Sequence, residues 1–498
     1  MTMISRVFGL IRDVVIANFF GAGAGADAFF VAFKIPNYLR RLFAEGGFSQ
    51  AFVPVLSEYK SRKSHEEIQV FINHVAGTLG LTLFVITLAG VIAAPILIMV
   101  FAPGFVSNGG RYDLAVSMLM ITFPYILFIS LTALAGGILN TWGRFGIPAF
   151  TPVLLNLSLI VCAIYLAPRL EEPIMALAWG VLIAGVVQLL FQFPFLQRLK
   201  LLPRPIPNRH YEGVKRIIKL MLPALFAVSV TQINLMIAMW IASFLQTGSI
   251  SWLYYSERLM EFPQGVFGVA LATVILPDLA RLYSEKSAEK FSQMLDWALR
   301  WVMLITIPAT LGLMLLAGPL LATLFQYGEF TVRDVHMATQ SLIAYAAGLS
   351  GFVLIKVFAS GYFSRQDTKT PVKIGIVAMV SNIILSLLLV MQLAHAGLAL
   401  ATSLASFINA GLLFYFLYKR NVYQIQKGWG LFLCRMILAC VMMSGALQYL
   451  VPPVSIWLQW DVFNRAVNLG QWIVLGVVIY TAVLWLSGLR FRHMTLDI

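Results

Sequence analysis

Residues 75–100 read VAGTLGLTLFVITLAGVIAAPILIMV, a run without a charged side chain that is long enough to cross a bilayer as a helix. Comparable apolar stretches recur along all 498 residues, of which 60% are hydrophobic and only 11% are charged. This composition is far too apolar for a soluble globular protein of such a size. Because a lipid-exposed backbone must satisfy its own hydrogen bonds, the sequence predicts an all-α polytopic membrane protein.

The apolar stretches predict about fourteen transmembrane helices. Each predicted helix is uncertain in its bounds by a few residues. The predicted helices lie near residues 4–21, 27–53, 72–102, 114–140, 148–167, 173–197, 217–246, 249–276, 297–326, 336–362, 371–393, 396–418, 430–450 and 466–488.

The loops between these helices alternate in charge. Every second loop is basic, as at residues 60–63, 198–216 and 365–373, whereas the intervening loops carry few cations, such as a lone Arg111. The positive-inside rule therefore places the basic loops and both chain termini in the cytoplasm, with Arg490 and its neighbour Arg492 near the last. We expect a multi-pass protein of a bacterial inner membrane. This topology accounts for the net charge of +14, and nucleic acid is not an expected partner.

An internal repeat with a constant offset of 223 residues divides the chain. Residues 54–61, PVLSEYKS, resemble residues 277–284, PDLARLYS. The same offset relates residues 147–148 to 370–371 and residues 176–178 to 399–401. Each repeat contains six predicted helices, so both halves enter the membrane from the same side, as in parallel-repeat transporters whose two lobes rock around a central cavity.

The repeat predicts the following domains: an N-terminal lobe over residues 1–200 with helices 1–6, a cytoplasmic connector over 201–216, a C-terminal lobe over 217–423 with helices 7–12, and an appended pair, helices 13 and 14, with the cytoplasmic C-terminus over 424–498. The connector is basic and contains three prolines, which is typical of a linker.

Several cations fall inside the predicted helices. A charge at the centre of a transmembrane helix costs about 2.5–3.5 kcal/mol, so most of them must face a hydrated cavity or a partner, or snorkel to the interface. An interior with several cations suits an anionic substrate. These residues are Arg6, Arg12, Lys34, Arg40, Arg41, Arg258, Arg300, Lys356 and Arg435. For Arg300, next to Asp296, and for Arg435, local pairing or snorkelling is the favoured interpretation.

The second predicted helix carries a polar stripe. Asp27, Lys34 and Arg41 are seven residues apart, and Asn37 and Glu45 fall on the same helical face. From Asp27 to Arg41 the stripe is about 21 Å long. Snorkelling of the two adjacent arginines at the cytoplasmic end is the alternative to a substrate-binding role.

The first predicted helix places Arg6 and Asp13 on one face and Arg12 about 120° away. Arg12 therefore either pairs with Asp13 or lines a neighbouring edge of the cavity. A first helix that lies in the membrane interface is the alternative reading.

The eighth predicted helix places Glu257 and Glu261 on one face with Arg258 beside them. This triplet is either a charge-neutral structural network or a substrate clamp that exchanges partners during transport.

No motif for an enzyme is evident in the sequence. A Walker loop, zinc-ligand spacing and a Ser/His/Asp set are all missing, and the three cysteines, Cys162, Cys434 and Cys440, lie in apolar stretches where they suit small core residues. We expect a transporter without a cofactor or metal. An ion gradient, the membrane potential or the substrate gradient would drive it.

Five stretches resemble the signature of one family: SRVFGLIRD at 5–13, GADAFFVAF at 25–33, PNYLRRLFAEG at 36–46, YYSERLMEFP at 254–263 and FQYGEF at 325–330. They are similar to the MurJ (MviN) lipid II flippases of the MOP exporter superfamily. The resemblance implies a cationic central cavity and, in residues 424–498, a hydrophobic groove for the polyprenyl tail. It also implies lipid II, the undecaprenyl-diphosphate-linked disaccharide pentapeptide, as substrate, with membrane lipids, a coupling ion and the cell-wall synthesis machinery as further partners.

The resemblance implies essential roles for Arg6, Arg12, Asp27, Arg40, Arg41 and Arg258, with Glu257 and Glu261 beside the last. Arginine suits a diphosphate because its planar guanidinium donates paired hydrogen bonds and stays charged. The full expected binding set is Arg6, Arg12, Asp27, Lys34, Asn37, Arg40, Arg41, Glu257, Arg258 and Glu261.

Three alternatives are open. A flippase for another polyprenyl-diphosphate-linked glycan would share the cationic cavity. A drug or cation antiporter of the same superfamily should have an excess of acidic residues there, and an intramembrane polyprenyl-diphosphate enzyme should show a catalytic histidine, paired acids or a metal site.

Overall fold

The computed structural model describes residues 2–41, 47–107 and 109–489, with the side chains of residues 2, 3, 109, 223–231, 266, 267, 269, 270 and 272 left out. Glu45 of the predicted stripe, together with Arg490 and Arg492, lies outside the described residues. The described chain divides into two compact units, Met1–Ser251 and Trp252–Ile498. The predicted boundary within residues 201–216 stays a prediction.

The first unit is built from helices alone. Short 3₁₀ or π segments occur at Pro103–Phe105, Cys162–Leu166 and Ala167–Arg169. The helices are α1 Thr2–Phe20, α2 Ala24–Arg40, α3 Ser49–Arg62, α4 His65–Ile92, α5 Ala94–Phe101, α6 Gly109–Thr122, α7 Tyr125–Thr141, α8 Gly146–Val161, α9 Met175–Arg198 and α10 Glu212–Ser243.

The helix α11, Ser249–Pro263, begins in the first unit and continues into the second. A π segment, Gln264–Gly268, joins it to α12. The remaining helices are α12 Val269–Ser284, α13 Ala288–Leu315, α14 Ala317–Phe325, α15 Val332–Ala347, α16 Leu349–Phe363, α17 Lys369–Lys419, α18 Trp429–Leu450, α19 Val454–Trp457 and α20 Val462–Leu486.

The helices begin where the sequence offers caps. At α4, the Glu67 N–H donates to the Ser64 hydroxyl and the Ser64 N–H donates to the Glu67 carboxylate, at 3.3 and 3.0 Å. Thr331 and Asp334 form the same reciprocal pair at the start of α15. Such capping boxes satisfy amide groups that a helix leaves without partners at its first turn.

The prediction of an all-α chain is confirmed, because no strand occurs among the described residues. Each of the fourteen predicted segments coincides with helix, and α17 covers two of them, separated at Ala394, whose φ of 47° is not helical. Within the described residues, nine helices are long and apolar enough to cross a membrane. The number of crossings stays a prediction. Cys162 and Cys440 are buried as expected, whereas Cys434 is exposed.

The repeat predicted from sequence is confirmed by the helix bounds. Moving α4, His65–Ile92, by 223 residues gives 288–315, which are the bounds of α13. The same shift takes the starts of α6 at Gly109 and α8 at Gly146 to the starts of α15 at Val332 and α17 at Lys369. The two halves therefore share their element order and their spacing.

The segment between α9 and α10 packs along α4 instead of hanging free as a linker. Asn73 accepts a hydrogen bond from the Arg204 N–H on its side chain (2.7 Å) and another from the Ile206 N–H on its carbonyl oxygen (3.1 Å). The Asn208 N–H donates to the Thr78 hydroxyl at 3.1 Å. Because backbone groups of an extended segment must find partners, these bonds fix its path.

An ion pair joins α3 to α10 just beyond this segment. Arg216 Nη2 donates to Glu58 Oε2 at 2.7 Å, and this bond lowers the pKa of the Glu58 carboxyl below its ordinary value. The carboxylate therefore stays ionised, and the pair intact, to a lower pH than an isolated glutamate would allow. Both groups are largely exposed, so the pair orients the start of α10 more than it stabilises the fold.

Gly77 of α4 is required for the close approach of this segment. A Cβ added there would lie 2.3 Å from the backbone carbon of Ile206. We expect Gly77→Ala to lower the free energy of unfolding by about 1–3 kcal/mol, because the backbone it meets is hydrogen-bonded and cannot yield cheaply. Thermal unfolding of the purified protein, followed by tryptophan fluorescence, measures the effect.

Gly80→Ala is the matched control for this substitution. It lies on the same helix, and an added Cβ would meet no atom within 4 Å. This variant should be as stable as the wild type or slightly more so, because alanine favours helix. Equal unfolding temperatures for the two variants would contradict the docked connector.

Candidate functional site

Arg12 is buried in α1, which packs against α8. Its Nε and Nη2 atoms donate to Asp13 Oδ1 at 2.9 and 2.6 Å, and Nη1 donates to Asn156 Oδ1 at 3.0 Å. The Asn156 amide in turn donates to the carbonyl oxygen of Ser5 at 3.2 Å. Of the two roles open to Arg12 from sequence, the pairing with Asp13 is therefore present. The guanidinium is held in one orientation and its charge is balanced by a neighbour.

Asp27 is fully buried at the start of α2, where it accepts three hydrogen bonds from the beginning of α11. The Gly248 N–H donates to Oδ2 at 2.7 Å, and the Ser251 N–H and hydroxyl donate to Oδ1 at 2.9 and 2.7 Å. A carboxylate at a helix N-terminus satisfies amide groups that have no partner within the helix and interacts favourably with the helix dipole. Asp27 thus caps α11 from another helix.

Arg111 is a second charged residue of this buried cluster, and sequence reasoning missed it. We assigned it to a loop, but it lies in α6 and is 5% exposed. Its Nη1 atom is 3.9 Å from Asp27 Oδ2, and its guanidinium lies 4.8 Å from the centroid of the Phe105 ring. The available signal was its isolation, because a lone arginine between apolar stretches needs a partner when it is buried.

The rest of the predicted stripe on α2 is less enclosed. Arg40 Nε donates to Asn37 Oδ1 at 3.1 Å, three residues back along the helix. Lys34 is partly buried and Arg41 is exposed. Arg6, on α1, is partly buried. Asp27 is therefore engaged by α11 rather than by the cations that follow it on α2.

Arg258 and Glu261 form an ion pair on α11. Arg258 Nη1 donates to Glu261 Oε2 at 3.0 Å, and the two side chains are 32% and 47% exposed. An exposed pair of this kind contributes only about 0–1 kcal/mol, so it can open at little cost. Glu257, one residue before, is partly buried.

The predicted binding residues thus form two groups. Those of α1 and α2 belong to the first unit, and the triplet of Glu257, Arg258 and Glu261 belongs to the second. No cluster of three metal-ligating side chains occurs in the part of the chain that the structure describes.

Long apolar helices, a six-helix arrangement used twice and charged side chains paired inside it define a polytopic α-helical membrane transporter. The family model described as "Lipid II flippase MurJ" matches residues 16–469. The chain belongs to this family, which confirms the resemblance seen in its motifs.

Curated relatives match over nearly the whole length. A "Probable lipid II flippase MurJ" of Vibrio cholerae is 50% identical over 99% of this chain and 95% of its own length. Its counterpart in Haemophilus influenzae is 47% identical over 99% of both chains. A "Lipid II flippase MurJ" of Burkholderia cenocepacia is 41% identical over 99% of this chain and 96% of its own length.

Solved structures agree with the predicted fold class. A lipid II flippase MurJ in an inward closed conformation has a TM-score of 0.82 and 29% identity, covering 99% of this chain and 98% of its own. An inward-facing multidrug transporter of the MATE family, in the MOP superfamily, has a TM-score of 0.67 over 84% of this chain and 94% of its own. At 15% identity the second likeness shows a shared fold alone.

The cap that Asp27 provides to α11 can be tested by Asp27→Asn. We expect a loss of about 1–3 kcal/mol in the free energy of unfolding, because the amide turns a donor toward donors and leaves Arg111 without its carboxylate. Thermal unfolding checks the result. Arg111→Gln added to Asp27→Asn should recover part of the loss, since no buried cation then remains.

Asp278→Asn is the control for this experiment. Asp278 is also an aspartate on a helix beside an arginine, Arg281, but the pair is exposed. This variant should stay within about 0.5 kcal/mol of the wild type. If it costs as much as Asp27→Asn, the buried cap is not what stabilises the protein.

Proposed function

We propose that this chain is a flippase that carries lipid II from the cytoplasmic to the periplasmic leaflet of the inner membrane by alternating access. The match of residues 16–469 to the lipid II flippase family carries this proposal. Relatives of the same name that are 50% and 47% identical over nearly all of the chain support it.

The chemistry of the two residue groups suits a diphosphate. A guanidinium donates paired hydrogen bonds to phosphate oxygens and stays charged in surroundings of low dielectric constant. We propose that Arg6, Arg12, Arg41 and Arg258 hold the diphosphate of lipid II. Lys34, Asn37 and Arg40 would add further donors along α2.

The acidic neighbours would exchange with the substrate. Arg12 donates three hydrogen bonds to Asp13 and Asn156, so a phosphate that replaces Asn156 keeps the cation neutralised throughout. The pair of Arg258 and Glu261 is accessible and costs little to open. When the substrate leaves, these partners take the arginines back, so that no buried cation is left alone at any step.

Asp27 has a positioning role in this proposal rather than a contact with substrate. Its carboxylate holds the first turn of α11, the helix that carries Arg258 seven residues after Ser251. Because that turn is fixed by three hydrogen bonds, any movement of α11 relative to α2 has to break them or take Asp27 along.

We propose a transporter rather than an enzyme, since moving a lipid across a bilayer needs no bond in the substrate to break. We also propose the domain division at the connector of residues 201–216, the tail groove in residues 424–498 and a cytoplasmic location for both termini. A coupling ion and the cell-wall synthesis machinery remain predicted partners.

Growth complementation in cells depleted of their own lipid II flippase tests the proposal. Wild type should restore growth, whereas Arg12→Ala and Arg258→Ala should fail at normal abundance in the membrane, as checked by immunoblot. Arg258→Lys keeps the charge without the planar fork and should restore growth only in part.

Arg435→Ala is the control variant. Arg435 donates to the Gly488 carbonyl oxygen at 3.3 Å and has no part in the proposed site, so this variant should restore growth. Failure of the wild type would refute the lipid II assignment. Rescue by every variant would mean that Arg12 and Arg258 are structural.

A further inference from the structure

An apolar cavity of about 440 Å³ lies within the second unit, away from every predicted binding residue. Its walls include Leu299 and Met303 of α13, Phe358 of α16, Gly411 and Phe414 of α17, and Trp429 of α18. The volume is within the range of ligand-binding pockets. None of the lining residues comes from α20, and most come from the repeat rather than from the appended pair.

The polar atoms of the two lining residues that have them are satisfied elsewhere. The Tyr423 hydroxyl and the Trp429 Nε1–H both donate to Asp296 Oδ1, each at 2.7 Å. The cavity therefore offers hydrocarbon surface to an occupant. Water is a poor occupant of such a space, because it needs several polar partners. A hydrocarbon chain is the occupant that the surrounding bilayer supplies.

The chain segment next to the cavity is cationic. Residues 419–427, between α17 and α18, contain Lys419, Arg420 and Lys427 and no acidic residue. The positive-inside rule places this segment at the cytoplasmic surface. Lys419 and Lys427 are exposed, and the latter is two residues from Trp429 in the cavity wall.

Arg300 completes this basic group from α13. Its Nε donates to Asp296 Oδ2 at 2.8 Å, and its Nη2 donates to the Lys427 carbonyl oxygen at 2.9 Å. The third nitrogen, Nη1, has no hydrogen-bond acceptor among the described residues. Arg300 directly follows Leu299 of the cavity wall, so a donor for an anion stands beside an apolar chamber.

We propose that this cavity holds one acyl chain of an anionic phospholipid of the cytoplasmic leaflet, with the lipid phosphate against Arg300 and Lys427. The apolar lining selects the chain and the basic segment selects the charge of the headgroup. A polyprenyl chain has several times as many carbon atoms as a fatty acyl chain, and a chamber of this volume suits the shorter one. The bound lipid would join α18 to α13, α16 and α17.

Gly411→Leu tests the chain site. An added Cβ at Gly411 meets no atom within 4 Å, so a leucine fits without strain and occupies the cavity. The matched control is Gly375→Leu on the same helix, where an added Cβ also meets nothing within 4 Å but the cavity is elsewhere. The readout is native mass spectrometry of the purified full chain titrated with dioleoyl phosphatidylglycerol or dioleoyl phosphatidylethanolamine.

We expect the wild type and Gly375→Leu to retain phosphatidylglycerol in preference to phosphatidylethanolamine, and Gly411→Leu to lose one retained lipid. Lys427→Gln should weaken retention of phosphatidylglycerol about fivefold and leave phosphatidylethanolamine unchanged, because one cation near the headgroup is removed. Phosphatidylglycerol should also raise the unfolding temperature of the wild type more than that of Gly411→Leu.

Three results would overturn the inference: equal lipid retention by Gly411→Leu and Gly375→Leu, no preference of the wild type for the anionic lipid, or replacement of phosphatidylglycerol at this site by undecaprenyl phosphate at equal concentration. The last would assign the cavity to the carrier lipid. A wild type that restores growth but retains no phosphatidylglycerol refutes this site and leaves the proposed function intact.

Discussion

The structure depends on one constraint: a charge placed among apolar helices must be met by a hydrogen-bonding partner from the protein, because hydrocarbon offers none. Arg12 meets it with Asp13 and Asn156, and Asp27 meets it with Gly248 and Ser251. In both cases the partners include a residue from a distant part of the chain. The charged groups therefore determine which helices of the first unit are held together, and at which turn.

The charged pairs differ in how readily they can change partner, and this difference separates anchoring from exchange. Asp27 is enclosed and bound at three atoms, so releasing it exposes unsatisfied groups on two helices. Arg258 and Glu261 are partly exposed and neighbours on one helix, so water can replace either partner. A transporter needs both kinds, because the helices must keep their register while the binding groups are handed to the substrate and back.

Most of the fold could be predicted from the sequence, since apolar length, loop charge and the 223-residue offset are properties of the chain in one dimension. The triplet around Arg258 was also accessible, because its members are neighbours on one helix. The cap on α11 was not. Asp27 and Lys34 share a helical face, which suggested one stripe, but the partner that Asp27 takes is an uncharged turn, and such a turn carries no signal in a search for charges. Arg111 was placed in a loop for the same reason, because its partner lies on another helix.

The constant offset has a consequence for the end of the chain. Asn73, which receives the connector on α4, corresponds by 223 residues to Asp296 on α13, and Asp296 accepts from the Gln426 N–H of the segment leading to α18. Gly77, which makes room for the connector, corresponds to Arg300, which instead donates to that segment. The appended helices are thus attached at the place where a third copy of the repeat would begin. One docking surface is used twice, first with a neutral amide and open space, and then with a buried carboxylate and a guanidinium.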